Sequence, residues 1–174
     1  MGRMMAGQER DKAFMDWLAP HLGVLRRIAR AFAGPEDQYD LMQELMLAVW
    51  SARPRFQDRS AETTFVYRVA HNTALTWKRG ENRRRRRRDA IEAEMLLRAE
   101  RDQVEPESPL LERLYGAIRQ LSPVERSLIL LSLDGLSYAQ IARLHGLSES
   151  NVGARLTRIR QRVASLVEEA DHGL

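Results

Sequence analysis

Cysteine is absent from the 174 residues, which excludes disulfides, a thiolate zinc site and a cysteine nucleophile, and fits a reducing compartment. Aromatic residues make up only 6 % of the chain. A core must therefore be assembled from Leu, Ile, Val, Ala and Met, a composition suited to small helical domains. No apolar run approaches the roughly 18 residues that would suggest a membrane span, and no signal-peptide core is present. The expectation is a soluble, cytoplasmic chain with no membrane insertion. The 4 histidines, His21, His71, His145 and His172, show no metal-ligand spacing, and neither a phosphate loop nor a convincing nucleophile-base pair is found. No metal, no cofactor and no enzymatic activity are expected.

What the chain does have is charge. Charged residues reach 30 %, with Lys+Arg 28 against Asp+Glu 24 and a formal balance of +4, so placement matters more than the total. The most informative stretch is Leu136 to Arg162, LSYAQIARLHGLSESNVGARLTRIRQR. A helix-turn-helix needs a small residue where its helices cross, a turn residue tolerant of positive φ, and an apolar anchor in the second helix. Ala142, Gly146 and Val152 supply these in order. Leu147 can plug the core after the turn, and Ser148 is suited to cap a helix beginning near Glu149. Val152, Leu156, Ile159, Val163 and Leu166 then recur at steps of four and three, forming one apolar stripe. Ser150, Asn151, Ala154, Thr157, Arg158 and Gln161 face the other way, with Arg155 and Arg162 on a flank. Such side chains reach base edges and phosphates. The plainer reading is a helical hairpin with a solvated charged face. The compatible spacing of small residue, glycine and anchor argues for DNA, as does the use of arginine, which suits bidentate contacts.

Taken in order, residues 1–11 carry no strong pattern and read as a tail. Phe14, Trp17, Leu18, Leu22, Leu25, Ile28, Ala29 and Phe32 predict an amphipathic helix ended by Gly34 and Pro35. A second helix is expected from about Glu36 to Ala52, with Leu41, Leu45, Ala48 and Val49 inward and Asp40, Gln43, Glu44 and Leu47 outward. Arg55 to Thr64 reads as a polar loop containing Phe56. A third helix is expected from about Glu62 to Arg79, with Phe65, Val66, Val69, Thr73 and Trp77 near one face and Arg68, His71, Asn72, Thr76 and Lys78 on the others. Arg83 to Arg88 is an unbroken arginine run that should repel itself and be partly disordered unless anions neutralise it. From Asp89 the sign reverses, and Asp89 to Ser108 reads as a flexible acidic linker broken by Pro106 and Pro109. It either screens the arginines, mimics nucleic acid towards a partner, or serves as a soluble spacer. Leu110, Leu111, Leu114, Ile118 and Leu121 open a second domain. Ser122, Pro123 and Glu125 then form a capping signal for a helix carrying Leu128, Ile129, Leu131 and Leu133. The fold class that emerges is all-α, with domains at 12–88 and 109–170 joined by the 89–108 linker.

With both halves in view, the chain from about Phe14 to Val167 resembles a small bacterial sigma factor of the extracytoplasmic-function group of the sigma-70 family. DLMQELMLAVW at Asp40 to Trp50 resembles the helix that docks on the RNA polymerase clamp. FVYRVAHNTALTWKRGENRRRRRR is similar to the helix and basic tail that recognise the −10 element, and LSPVERSLILLSLDGLSYAQIARLHGLSESNVGARLTRIRQR to the domain that reads the −35 element. The resemblance implies core-polymerase contacts through Asp40, Gln43, Glu44 and Leu47. It implies base capture by the loop Phe56 to Thr64, with Asn72 beside that pocket and Arg68 on the same helix. Phosphate contacts fall to Arg79 and to Arg83, Arg84, Arg85 and Arg86 within the run. For −35 duplex it implies Ser150, Asn151, Ala154, Arg155, Thr157, Arg158 and Arg162. The implied partners are RNA polymerase core and promoter DNA, and an anti-sigma factor is a common partner in such a family. Two departures from the usual pattern, Phe65-Val66 and Thr76-Trp77, bear on −10 preference.

Two rival readings differ in kind. A stand-alone helix-turn-helix regulator would bind duplex DNA without polymerase, often as a dimer on two half-sites, but leaves the second helix and the arginine-tailed helix without a purpose. A DNA-acting enzyme such as a recombinase lacks the chemistry its reaction would need.

Overall fold

The computed structural model describes residues 12–56, 62–95 and 108–172, with side chains described for 12–56, 62–80 and 108–170. The tail at 1–11, the loop residues 57–61 and the linker residues 96–107 lie outside the described residues. Among the described residues the structure is helical without strands, as the sparse aromatics and 3.6-residue periodicity require.

Residues 12–18 form α1, a 3-10 turn follows at Ala19–His21, and α2 spans Leu22–Phe32. One continuous helix is expected from Phe14 to Phe32; Pro20 interrupts it because its nitrogen carries no proton for the helical ladder. α3 is Gln38–Ala52 and buries Leu41, Leu45 and Val49. A second 3-10 turn, Arg53–Arg55, contains Pro54.

α4, Glu62–Met95, runs 16 residues past its expected end at Arg79. The arginine run and the start of the acidic stretch are thus backbone-helical rather than disordered. Arginine is a good helix former, and Glu81 to Arg85, Arg85 to Asp89 and Arg88 to Glu92 are opposite charges four apart.

The C-terminal half is punctuated by caps. α5 is Pro109–Arg119 and α6 Pro123–Leu133, whose Ser122–Glu125 capping box is complete as expected. After α6, Gly135 adopts φ +84° while the Leu136 amide donates to the Leu131 carbonyl at 3.1 Å, a left-handed stop that satisfies terminal carbonyls. Ser137 and Gln140 form a second capping box at the start of α7, Tyr138–His145. Gly146 closes α7 at φ +66°, with the Leu147 amide bonded to the Ala142 carbonyl at 3.0 Å. α8, Glu149–His172, then begins with the Ser148 hydroxyl accepting from the Asn151 amide at 3.3 Å.

α2 sits between the two halves, touching α3 and α4 on one side and α5 and α6 on the other. This explains its wide buried surface: Val24, Leu25, Ile28, Ala29, Ala31 and Phe32. The same two-sided packing corrects α4 and α6. His71, expected on an outer face of α4, is only 4 % exposed, and Tyr67, Ala70 and Ala74 are buried with it. On α6, Arg126 and Ser127 are buried and Leu130 joins the core, whereas Leu133 is exposed. Periodicity marks the first buried face of a helix. A second face, turned towards another domain and containing polar residues, carries no such signal.

Candidate nucleic-acid interface

The outer face of α8 is built by elimination. Val152, Leu156, Ile159 and Val163 are buried against α5, α6 and α7, and each such side chain contributes about 1.5–3 kcal/mol on burial. Their burial fixes the helix's rotation. Ser150, Asn151, Ala154, Thr157, Arg158 and Arg162 are consequently exposed, and Arg155 is half-buried. Asn151 and Arg155 are linked, the Arg155 Nε donating to Asn151 Oδ1 at 2.7 Å. This holds two candidate base-reading groups in one orientation. Thr157 is partly occupied by its own helix, its hydroxyl donating to the Gly153 carbonyl at 3.0 Å.

Arg160 behaves differently from its neighbours. It turns back, donating to Ser132 Oγ at 2.8 Å and to the Tyr138 hydroxyl at 3.5 Å, and so braces α8 on α6 and α7. Gly153 permits the crossing, because a Cβ there would lie 3.3 Å from the Tyr138 ring. Ala142 is the residue expected in such a role from the sequence, and Gly153, a glycine next to the anchor Val152, is the signal for this second close approach.

In the N-terminal half, Asp40, Gln43, Glu44 and Leu47 are exposed on α3, with Leu47 63 % accessible despite its side chain. Arg68, Asn72 and Arg79 are exposed on α4. Phe56 is half-buried and tilted onto Phe65 with centroids 5.0 Å apart, so the first departure from the family pattern supports the base of the loop. At the second, Trp77 is buried and Thr76 donates to the Asn72 carbonyl at 2.9 Å. Glu44 and Asn72 line one shallow depression with Thr73, Thr76 and Trp77, joining a residue assigned to polymerase docking with one assigned to −10 DNA. Residues 57–61 of the capture loop fall outside the described residues, as do the side chains of Arg83, Arg84, Arg85 and Arg86.

Near this face, His21 Nε2 bonds Glu62 Oε1 at 3.0 Å, and that hydrogen bond holds the Glu62 carboxyl below the usual range. Glu62 opens α4, so the contact ties the helix start to the 3-10 turn after α1. Among the described residues no group of three or more His, Cys, Asp or Glu side chains could hold a metal ion, and no helix is long and apolar enough to cross a membrane.

A helix-turn-helix with an outward polar face, preceded by a helical domain with exposed acidic and basic faces, defines a DNA-binding transcription protein of two domains. Residues 17–84 match sigma-70 region 2 and residues 111–163 match sigma-70 region 4. The chain is 30 % identical over 142 residues to the ECF RNA polymerase sigma-E factor of Escherichia coli (strain K12), covering 76 % of this chain and 74 % of that one. It is 28 % identical over 155 residues to the ECF RNA polymerase sigma factor SigG of Mycobacterium tuberculosis, covering 75 % of this chain and 42 % of that longer one. The chain belongs to the sigma-70 family of RNA polymerase sigma factors, in its ECF group. Its fold is shared with the sigma factor RpoE solved with the anti-sigma factor NepR from Bartonella quintana, at TM-score 0.65 and 21 % identity over 90 % of this chain and 98 % of that one. It is likewise shared with CnrH solved with the cytosolic domain of CnrY, at TM-score 0.62 and 23 % identity over 91 % and 90 %.

Proposed function

We propose that this chain binds RNA polymerase core through the exposed face of α3 and directs it to promoters by reading −35 duplex with α8 and opening and capturing the −10 element with α4 and the preceding loop. The observation that carries this reading is the outward face of α8, fixed in rotation by four buried apolar residues and positioned by the left-handed turn at Gly146. Asn151, Arg155 and Arg158 enter the major groove, while Arg162 lies where phosphates pass. Asp40, Gln43 and Glu44 meet basic or hydrogen-bonding groups on the core enzyme around the apolar Leu47. Phe56 and Asn72 flank a flipped base, with Arg68, Arg79 and the Arg83 to Arg86 segment on neighbouring phosphates. The chain itself performs no catalysis; the polymerase core makes the RNA. It acts in the cytoplasm, and an anti-sigma factor, with which the structurally similar RpoE was solved, is the class of further partner this reading allows.

The test uses sigma-free bacterial polymerase core and the purified chain. Stable co-elution and new discrete transcripts from genomic fragments are expected, and Gln43→Ala with Glu44→Ala should weaken core binding in a titration. Unchanged affinity removes the α3 assignment. Absence of association, with tight duplex binding by the chain alone, removes the sigma function itself.

A further inference from the structure

The two domains meet along a seam formed by α2 and α4 on one side and α5 and α6 on the other, which α7 reaches through His145. At its centre the Ser127 hydroxyl lies 2.7 Å from His71 Nδ1 and 2.9 Å from His145 Nε2. One hydroxyl thus joins a histidine of α4 to a histidine of α7 across the domain boundary. Ser127 and His71 are almost wholly buried, and His145 is half-buried. His71 Nε2 has no hydrogen-bond partner among the described residues.

We infer that this His71–Ser127–His145 bridge is a proton-sensitive latch, which holds the domains together while both rings are neutral and releases them when either ring takes up a proton. A serine hydroxyl has one proton to give. Bonded to both rings, it donates to one nitrogen and accepts from the other, so one ring must present a bare nitrogen. Protonating that nitrogen leaves the hydroxyl proton without an acceptor, and protonating either ring, at whichever nitrogen is bare, places a cation at the seam. A second proton would set two cations either side of one oxygen.

The surrounding charges do not rescue such a cation. From α2, Phe32 faces His71 edge-on at 6.5 Å and Arg27 pairs with Asp134 at 2.5 Å. From α6, the Arg126 guanidinium stacks over Phe32 at 5.8 Å and Asp134 is engaged by Arg27. From α4 itself, Tyr67 lies 6.2 Å from the His71 ring, with its hydroxyl pushed up to about 12 by burial and then by Asp134. From α7, the only titrating neighbour acting on His71 is His145. Burial, then the charge of His145, lowers His71 to about 3, and burial lowers His145 as well. A histidine depressed in the closed form and ordinary in the open form favours closure fully above about pH 6.5, and loses that contribution as pH falls from there towards the closed-form value.

A docked body of this length is about 40 Å across, whereas elements centred 35 and 10 base pairs upstream are about 85 Å apart at 3.4 Å per base pair. The need for the seam to open rests on the proposed promoter reading. The proton dependence does not, and its test requires neither DNA nor polymerase. Because the chain has no cysteine, Tyr39→Cys and Ala164→Cys, both at exposed positions on opposite sides of the seam, provide a specific label pair in the full chain. Interlabel distances measured from pH 8 to 5.5, with helicity followed in parallel, should show an open population whose ratio to the closed one rises up to tenfold per pH unit below about 6.5 for each histidine involved. His145→Gln should reduce that dependence, and His71→Gln with His145→Gln should abolish it; if the double variant is open at every pH, the single variant decides. An unchanged distance distribution across the range, the same pH dependence in wild type and His145→Gln, or loss of helicity in step with separation would each overturn the latch.

Discussion

The arginines of the seam and those of α8 do opposite things in this molecule. At the seam they are consumed by the chain's own acceptors. Arg126 donates to the carbonyls of Leu121 at 2.9 Å, Ala31 at 3.4 Å and Arg119. Arg119 donates to the Arg30 carbonyl at 3.0 Å, and Arg30 pairs with Glu112 at 2.9 Å while lying over the Tyr115 ring. On α8, Arg158 and Arg162 stand exposed beside the half-buried Arg155. The difference lies in the backbone nearby. α2 and α5 end against the seam, where buried terminal carbonyls need donors, while the middle of α8 has its carbonyls within its own ladder and, with Arg160 turned back to Ser132 and Tyr138, leaves Arg158 and Arg162 for another molecule. Counting arginine therefore says little about DNA. What matters is whether an arginine has acceptors within the chain.

The largest effect that would break this comparison is at the seam. Arg126→Met should cost about 2–4 kcal/mol of stability in urea unfolding, because a buried guanidinium leaves three carbonyls without a donor. A change within about 0.5 kcal/mol, the usual range for a surface substitution, would place Arg126 with the solvated arginines. On α8, Arg158→Ala should leave the unfolding midpoint nearly unchanged and weaken binding to −35 duplex by about 1–3 kcal/mol if it makes a bidentate base contact. Equal loss on scrambled duplex would make it a phosphate anchor. Between the regions lies the turn that aims α8. Gly146→Ala should cost about 1–2 kcal/mol, since a Cβ is strained in the left-handed region, and calorimetry or urea unfolding would show it. No cost would mean the turn can relax without redirecting the helix.

The contrast also decides what the sequence made legible. The helix-turn-helix is legible because each of its requirements is local: a small residue, Ala142, buried on α7, Gly146 with φ +66°, Ser148 as cap, and a stripe that is buried from Val152 to Val163. α3 was equally plain, with Leu41, Leu45 and Val49 inward and Leu47 outward. The seam was hidden because its residues are polar and distant in the chain. His71, Ser127 and His145 share no spacing, and a buried serine between two histidines leaves no periodic trace. The length of α4 is hidden for a related reason. Six like charges in a row suggest repulsion, yet the opposite charges four residues to either side favour the helix.

The most direct test of the central claim, that one chain presents two faces to two promoter elements when carried by polymerase, is a footprint on a promoter found by start-site mapping, taken with and without core. Two protected elements with unpaired bases in the downstream one, appearing only with core and losing the upstream element selectively in Arg158→Ala, is the predicted result. Protection of paired half-sites by the chain alone, unchanged on adding core, would contradict it.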